Sequence, residues 1–464
     1  MRTTRPARDG AARSLTAFAV AACLAIPHEA SAAAAAFTGL GDLPGSVLES
    51  VAYGVSADGS VVVGYGFSAG GVIEAFRWTE ADGMQGLGAL PGVVGSIARG
   101  VSADGSVIVG ESGGEAFRWT AVGGMQGLGS LVGASQPGSA AYDVSADGSV
   151  VIGWSRYASN VGQRAFRWTT TGGMVALLDD TLPNASIARA VSADGSTIVG
   201  DTQTFIVVPE RRFQDEAFRW TAGDGLEALG FLPGSTDADS HGYDVSADGS
   251  VVAGYGSLGP APAAFEAFRW TAADGMTSLG RVTGGAQTFG YGVSDDGSVV
   301  VGGSFAEGGL AFVWDEAHGV RALYDLLYAA GAPVRGWRLD SAWAVSADGR
   351  TIVGQGLDPD GHTEAWRAVL PEPVIGECND GIDNDGDGLV DLADPGCPFP
   401  ESTPENPQCD DGIDNNGDGL VDFDDPNCQP SWPYWEKAPC GIGIELVALI
   451  PAIRLLHSRR RRSS

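Results

Sequence analysis

One pattern of apolar and polar positions recurs along most of the chain. In one copy, an Asp-Gly pair at 104–105 precedes the β-branched run 107–109, which ends at Gly110. Runs of this kind bounded by Gly favour strands, and Asp-Gly favours a hairpin because its tight turn needs positive φ. A second strand-like run, 115–120, carries Phe-Arg-Trp, and a Gly-rich segment follows it. The pattern predicts short antiparallel strands joined by tight turns.

The pattern occurs seven times between residues 33 and 370, with 43 to 54 residues between successive copies. A period of this length makes the region one repeat array rather than several domains. We assign four strands to a unit, for example 86–88, 97–102, 106–110 and 115–120. Seven units of about 48 residues predict an all-β, seven-bladed β-propeller. A β-solenoid is the alternative, although solenoid coils usually have shorter periods.

The two ends of the array are complementary. Residues 37–45 match the Gly-rich segment 86–92, whereas the last unit stops at 365–369 with no such strand after it. We therefore predict that residues 37–41 pair beside residues 364–369 and tie the first blade to the last. Alternatively, each unit is a whole blade and the ring closes by packing alone.

Loop lengths vary mainly at one end of the predicted strands. The connection after the Val-rich strand spans 111–114 in the second unit and 201–214 in the fourth. Loops such as 235–242 and 324–341 emerge at the same end of the meander, which we call the variable-loop face. Length variation on one face of a rigid scaffold is typical of binding sites. We expect a ligand to bind there.

The repeated side chains favour structural roles over catalysis. Each Asp of an Asp-Gly pair suits turn geometry, and the Phe and Trp of the Phe-Arg-Trp motif suit an inter-blade core. The array contains His241, His318 and His362, and no two of them have the spacing of metal ligands. Because no coherent set of acid, base and nucleophile appears, we do not expect an enzyme. A polysaccharide-active enzyme with paired carboxylates on the variable-loop face is the alternative.

Charge and the N-terminus indicate an exported protein that does not bind nucleic acid. The formal net charge of −31 repels phosphate backbones. Residues 1–32 contain four Arg, an apolar run at 17–26 and an Ala-Ser-Ala site at 30–32. This order is typical of a secretory signal peptide. A retained anchor helix is the alternative, although the apolar run is too short to span a bilayer.

The repeat motifs resemble a known family. The segments Val-Ser-Ala-Asp-Gly-Ser, Glu-Ala-Phe-Arg-Trp-Thr and Gly-Met-Gln-Gly-Leu-Gly are similar to the HAF repeat of extracellular bacterial proteins. The last unit departs most, with Ala365-Trp366-Arg367 in place of Ala-Phe-Arg-Trp and an atypical insertion at 323–337. The resemblance implies an exported repeat protein, and it implies no reaction.

Residues 371–439 contain the same acidic pattern twice, 31 residues apart. Oxygen ligands at loop positions 1, 3 and 5, Gly at 6, a backbone carbonyl at 7 and acids at 9 and 12 follow the spacing of a calcium loop. The loops resemble calcium-binding repeats of the thrombospondin type 3 or dockerin kind, because position 12 is Asp and flanking helices are lacking. The expected ligands are Asp383, Asp385, Asp387, the Leu389 carbonyl, Asp391, Asp394, Asp414, Asn416, Asp418, the Leu420 carbonyl, Asp422 and Asp425.

Four cysteines frame these loops. Cys378 and Cys397, and likewise Cys409 and Cys428, are 19 residues apart, and we predict these two disulfides in an oxidising compartment. The segment is too acidic to fold on apolar burial alone, so structural calcium would supply the missing stabilisation. The expected dissociation constant is about 10⁻⁴ to 10⁻³ M. A disordered acidic linker is the alternative.

The C-terminal residues 440–464 are similar to the sorting tails that sortase-like or rhomboid-like proteases remove. Cys440 opens the segment, a broken apolar stretch follows at 444–456, and four Arg stand at 459–462. The Arg cluster would hold the end in the cytoplasm during export. We expect Cys440 to be the site of processing or anchoring, and the protein to be at the outer cell surface or released.

These features together predict an exported cell-surface protein of the binding or adhesion type. The expected partners are an unknown ligand, either carbohydrate or another surface protein, and the sorting machinery at the membrane. A structural surface-layer component is a further alternative.

The calcium loops can be tested directly in the mature chain. Mass spectrometry of unreduced peptides should find Cys378 joined to Cys397 and Cys409 joined to Cys428, and a crossed pairing would reject this assignment. Asp383→Ala with Asp414→Ala should weaken calcium binding at least about tenfold in calorimetry, because each change removes a first-position ligand. Glu401→Ala, outside both loops, should leave binding unchanged.

Overall fold

The computed structural model describes most of residues 35–371. The gaps are residue 46 and residues 132–137, 158–161, 179–184, 207–211, 236–238, 260–263, 283–286 and 306–308. Two compact units divide the chain, Met1–Glu372 and Pro373–Ser464. The predicted signal peptide, the calcium loops with their four cysteines, and Cys440 lie outside the described residues and stay predictions.

The described residues form a β-propeller of seven four-stranded antiparallel blades. Strand β1 (Ala36–Gly39) precedes the first complete blade. From the axis outwards, the first blade contains β2 (Ser50–Val55), β3 (Val61–Ser68), β4 (Val72–Thr79) and β5 (Gly83–Gly86). The second contains β6 (Ser96–Val101), β7 (Val107–Ser112), β8 (Glu115–Thr120) and β9 (Gly124–Gly127). The third contains β10 (Ser139–Val144), β11 (Val150–Arg156), β12 (Gln163–Thr169) and β13 (Gly173–Ala176).

The remaining blades repeat this order. The fourth contains β14 (Ser186–Val191), β15 (Thr197–Ile206), β16 (Arg212–Thr221) and β17 (Gly225–Gly230). The fifth contains β18 (Ser240–Val245), β19 (Val251–Leu258), β20 (Ala264–Thr271) and β21 (Gly275–Gly280). The sixth contains β22 (Thr288–Val293), β23 (Val299–Ser304), β24 (Leu310–Asp315) and β25 (Gly319–Ala322). The seventh contains β26 (Arg338–Val345), β27 (Thr351–Leu357), β28 (Thr363–Val369) and, at its outer edge, β1.

The predicted closure of the ring is confirmed. Strand β1 pairs antiparallel with β28, with Phe37 opposite Ala368 and Gly39 opposite Trp366. The Leu40 N–H continues the pairing by donating to the Ala365 carbonyl at 2.8 Å. The chain's first described strand therefore completes its last blade, and closure does not depend on packing alone.

Two details differ from the sequence prediction. The sequence predicts the Gly-rich strand first in its unit at 86–88, but the strand lies at 83–86 and pairs with the preceding Trp strand, with Trp78 opposite Met84. The tight turn after Trp78 folds it back onto its own blade. A short helix, α1 (Leu323–Ala329), forms in the insertion before the seventh blade, because Leu323 and Leu327 lie one helical turn apart and are both fully buried.

Neighbouring blades are joined by a closed ring of hydrogen bonds at the Asp-Gly turns. The Ala57 N–H donates to the Ala103 carbonyl at 3.1 Å, and the series ends with Ala347 donating to Ala57 at 3.1 Å. The other donors, at 3.0 to 3.2 Å, are Ala103, Ala146, Ala193, Ala247 and Asp295. Every turn is thus fixed to the next one by its backbone.

The turn aspartates have the predicted structural role. Asp104 Oδ1 accepts hydrogen bonds from the Ser102 hydroxyl at 2.8 Å and from the Ser106 N–H at 2.9 Å. These bonds to Ser106 and Ser102 hold the pKa of Asp104 below its usual value. The carboxylate therefore closes its own turn.

The Phe-Arg-Trp motif also connects blades. The Arg219 and Arg269 side chains donate to the carbonyls of Gly249 and Gly297, the turn glycines of the next blades, at 3.1 and 3.2 Å. Arg367 reaches Gly59 in the same way at 3.0 Å across the closure. Two independent reasons require glycine at this turn position. Gly59 has a φ of 71°, and a Cβ there would collide with Thr351.

Closure by β1 leads to a stability prediction. Phe37 is 7% exposed and its ring lies 5.1 Å from Trp337 and 6.2 Å from Trp366. Phe37→Ala should lower the free energy of unfolding by roughly 3 to 5 kcal/mol, because it leaves a cavity under the closing strand. Urea unfolding followed by Trp fluorescence measures this.

The control is Phe305→Ala, since Phe305 is 60% exposed. It should change the free energy of unfolding by about 0.5 kcal/mol or less. Equal losses for the two variants would show that β1 does not hold the ring.

Candidate functional site

Every innermost strand contains a β-bulge at the same repeat position. In β2, Ala52 pairs with Gly64 and Gly54 pairs with Val63, so Tyr53 has no partner in the ladder. A bulge re-aims the side chain of its extra residue. We call these seven residues, all of which line a cavity on the propeller axis, the axial ring: Tyr53, Arg99, Tyr142, Arg189, Tyr243, Tyr291 and Trp343.

Members of the axial ring stack on one another. Trp343 stacks on Tyr291 with ring centroids 4.4 Å apart and meets Tyr53 edge-on at 5.5 Å. The Arg99 guanidinium lies 4.8 Å from the Tyr142 ring centroid, and that of Arg189 lies 4.4 Å from Tyr243. Such contacts contribute about 0.5 to 2 kcal/mol each. The stacking therefore holds these large side chains in fixed positions around the axis.

The axial cavity has a volume of about 220 Å³. Its walls come from residues 53–57 and their equivalents in the other blades, so it lies between the axial ring and the Asp-Gly turns. This is the end of the channel opposite the variable-loop face. The repeat pattern alone predicts no site at this end.

Acidic side chains pair with both arginines of the axial ring. Arg99 forms an ion pair with Glu111 at 2.8 Å, and Arg189 forms one with Asp201. Burial opposes the charge on Arg189, but Asp201 outweighs burial and raises the Arg189 pKa. The Arg99 Nε and Trp343 Nε1 atoms are buried without hydrogen-bond partners among the described residues. Both atoms belong to side chains that line the cavity.

Two aspartates follow the bulge in the third and fifth blades. Asp143 accepts hydrogen bonds from the N–H groups of Val144 at 2.7 Å and Val191 at 2.9 Å. Asp244 accepts equivalent bonds from Val245 and Val293, both at 2.8 Å. Each carboxylate thus joins its own bulge to the next blade while lining the axial cavity.

Both aspartates hold protons more tightly than usual. Burial raises the pKa of Asp143 to about 7, against the opposing effect of its two backbone donors. Burial, together with the charge of Asp143, raises the pKa of Asp244 to about 8. The two carboxyl groups therefore titrate near neutral pH, far above the ordinary value of 3.8.

The variable-loop face carries exposed apolar side chains. Leu48 is 48% exposed, Val94 is 74% exposed and Phe305 is 60% exposed. Phe305 packs edge-on against Phe289 with centroids 5.0 Å apart. Isolated exposed apolar residues are common on protein surfaces. The expectation that a ligand binds at this face stays a prediction.

A mixed cluster of carboxylates and imidazole lies between the fourth and fifth blades. Among the described residues, one group has His, Cys, Asp or Glu ligand atoms close enough to hold a metal ion: Asp215, Asp239 and His241, within 4.8 Å of one another. We call it the junction cluster. Asp201 is adjacent, with its Oδ1 atom 3.6 Å from His241 Nδ1. Burial would lower the His241 pKa, but Asp201 and Asp239 outweigh it and raise the pKa to about 9.

Neither the axial cavity nor the junction cluster is predicted by the sequence motifs. The junction cluster has no spaced metal-binding motif, because its members come from different strands of two blades. The axial ring had a signal in the repeats. Two positions before the Val that opens each Asp-Gly turn, all seven units carry Tyr, Arg or Trp, whereas the next position carries Gly, Ala or Asp.

The raised aspartate pKa values lead to a pH prediction. Because the folded chain holds these protons above pH 3.8 and the unfolded chain does not, the stabilisation is complete below about pH 4 and is lost as pH rises through about 7 and 8. The free energy of unfolding should therefore fall between pH 5 and pH 8, by up to about 1.4 kcal/mol per pH unit for each group. Denaturant unfolding at several pH values measures this slope.

The Asp143→Asn, Asp244→Asn double variant should have a flatter pH profile than the wild type. Asp325→Asn, which changes an exposed residue of α1, serves as the control and should keep the wild-type slope. A double variant with an unaltered slope would contradict the assignment.

No helix in the described part of the chain is long and apolar enough to cross a membrane.

Comparison with known proteins identifies similar folds. No family model and no curated protein matches the chain. The chain is similar to an oligogalacturonate lyase solved in complex with manganese, with 14% identity, a TM-score of 0.48, and coverage of 74% of this chain and 95% of that one. It is similar to the β-propeller domain of the Trilobed protease from Pyrococcus furiosus, with 11% identity, a TM-score of 0.43, and coverage of 72% and 95%. It is also similar to the Cps50 (Swd1) β-propeller domain from Myceliophteria thermophila, with 10% identity, a TM-score of 0.42, and coverage of 71% and 98%. These similarities concern the fold and do not extend to what those proteins act on.

Proposed function

We propose that this protein is an exported binding protein whose propeller holds a small polar ligand, a saccharide end group, in the axial cavity. The observation that carries the proposal is the axial ring. Seven bulges direct seven large aromatic or cationic side chains towards one cavity. A purely structural axis would be filled more simply by small apolar residues.

The chemistry of the cavity suits a sugar better than an apolar ligand. Tyr and Trp rings offer flat apolar faces with polar edges, and the Arg99 and Arg189 guanidinium groups lie beside Tyr142 and Tyr243 in the cavity wall. The volume of about 220 Å³ lies below the range of about 300 to 1,000 Å³ for sites of drug-sized molecules. The cavity therefore fits one sugar residue or a chain end rather than the side of a long polymer.

A polysaccharide-active enzyme is the second candidate. Asp143 and Asp244 line the cavity, and carboxyl groups that titrate near neutral pH are typical of acid and base catalysts. However, both oxygens of each carboxylate already accept backbone N–H bonds. Binding is preferred because these carboxylates have a structural task that would compete with proton transfer.

The cell-surface assignment rests on the chain outside the propeller. The signal-like residues 1–32, the calcium-loop pattern at 371–439 and the tail that begins at Cys440 support export, a calcium-stabilised stalk and attachment or release. The resemblance of the repeats to the HAF family supports the same location. In this proposal the stalk presents the propeller to ligands outside the cell.

Thermal-shift measurements on the mature chain against a panel of monosaccharides and oligosaccharides test the proposal. A ligand at about 100 times its Kd adds about 2.7 kcal/mol of stability and should raise the melting temperature. Tyr142→Ala should weaken binding of that ligand at least about tenfold, because Tyr142 lines the cavity and stacks with Arg99. Chromatography of each mixture detects released fragments.

The control is Tyr328→Ala in α1, since Tyr328 is 51% exposed and lies outside the cavity walls. This variant should bind the sugar with the same affinity as the wild type. Sugar binding that survives Tyr142→Ala unchanged would place the site elsewhere, on the variable-loop face. Released fragments would establish the enzyme, and no shift with any sugar would favour a protein partner or a surface-layer role.

A further inference from the structure

The junction between the fourth and fifth blades departs from the repeat pattern at four positions. Strands β15 and β16 contribute Asp201 and Asp215, and β18 contributes His241, with Asp239 one residue before that strand. At the junction between the first and second blades, the equivalent residues are Tyr65, Ile73, Gly95 and Ile97. Apolar, small or aromatic side chains are thus compatible with the fold at these positions, and the fold itself does not require acids or histidine.

The cluster contains more negative charge than its neighbours balance. Arg189 pairs with Asp201, and the Gln203 amide donates to Asp215 at 3.0 Å without supplying charge. Asp239 and Asp215 remain beside a histidine whose side chain is 13% exposed. One imidazole can balance the charge of at most one of these two carboxylates, and a partly buried carboxylate left without a cation is costly because it loses hydration.

Two atoms of the cluster have no hydrogen-bond partner. Asp239 Oδ1 and His241 Nδ1 are both buried and unpaired among the described residues. The distance of 3.4 Å between Asp239 Oδ1 and His241 Nε2 is long for a hydrogen bond, and so is the 3.6 Å from Asp201 Oδ1 to His241 Nδ1. Buried polar atoms normally form hydrogen bonds, so the two unpaired atoms of Asp239 and His241 indicate that the cluster binds a further partner.

We propose that Asp215, Asp239 and His241 bind one divalent transition-metal ion, with Zn²⁺ and Mn²⁺ as the best-fitting ions. One imidazole nitrogen with carboxylate oxygens is a donor set that these ions accept, whereas calcium sites use oxygen alone. Ligand atoms about 2.0 to 2.2 Å from a tetrahedral ion lie roughly 3.3 to 3.6 Å from one another. The spread of 4.8 Å in the cluster therefore closes with small side-chain rotations.

Neighbouring residues hold the ligands in place. The Tyr255 ring packs against the His241 ring at a tilt of 37°, with centroids 4.8 Å apart, and restricts the rotation of the imidazole. Gln203 fixes the Asp215 carboxylate by its hydrogen bond. Support of ligands by outer residues is typical of metal sites, and its loss commonly costs about 10-fold to 100-fold in affinity. The site is distinct from the predicted calcium loops and from the axial cavity.

The test uses the mature chain with its disulfides intact, free thiols alkylated, and about 5 mM Ca²⁺ present to fill oxygen-only loops. Calorimetry with Zn²⁺ should find one site that Asp215→Asn and His241→Gln each weaken at least about tenfold. His318→Gln is the control, because that histidine is half exposed in the sixth blade, and it should bind Zn²⁺ as the wild type does. Near-ultraviolet circular dichroism confirms that the variants are folded.

A spectroscopic measurement on the wild-type chain tests the metal site without relying on the folding of the variants. Pulsed electron paramagnetic resonance of bound Mn²⁺ should show coupling to one imidazole ¹⁴N nucleus. The proposal is overturned if the wild type binds neither ion, if folded Asp215→Asn and His241→Gln bind Zn²⁺ as the wild type does, or if bound Mn²⁺ shows oxygen ligands alone.

Discussion

Contact between neighbouring blades is the constraint on which the structure depends. A four-stranded sheet of short strands cannot bury both of its faces by itself, so each blade is stable only beside the next. The closed ring of backbone hydrogen bonds from Ala57 round to Ala347 fixes the inner turns. The Phe-Arg-Trp arginines fix the same turns to the strands of the preceding blades. The turn backbone and the Phe-Arg-Trp arginines of the repeat therefore serve as inter-blade contacts.

The same constraint leaves a few positions free to differ between blades. Strands that converge on an axis leave a channel, and the bulge in every innermost strand directs its extra residue into it. Tyr, Arg or Trp stands at each of these positions, and stacking among neighbours keeps them ordered. A binding site can thus be built from one residue per blade without altering the contacts that hold the ring.

Asp201 connects the axial ring to the junction cluster. Asp201 pairs with Arg189 of the axial ring and also lies 3.6 Å from His241 of the junction cluster. Both sites occur where units depart from the common repeat, and the fourth and fifth units supply residues to each. The candidate binding sites of this protein are therefore formed by positions that differ between units, and the invariant motifs hold the blades together.

The sequence by itself determined the all-β class, the seven units, the structural role of the turn aspartates and the pairing of β1 with β28. These features depend on local turn chemistry and on a repeated pattern, and both can be recognised in the amino-acid sequence. Only the tertiary structure decided to which blade the Gly-rich strand belongs. It also decided that bulges direct Tyr53 and its equivalents to the axis, and that Asp215 and Asp239 lie close to His241. Those outcomes depend on strand register and on contacts between blades, which no local spacing encodes.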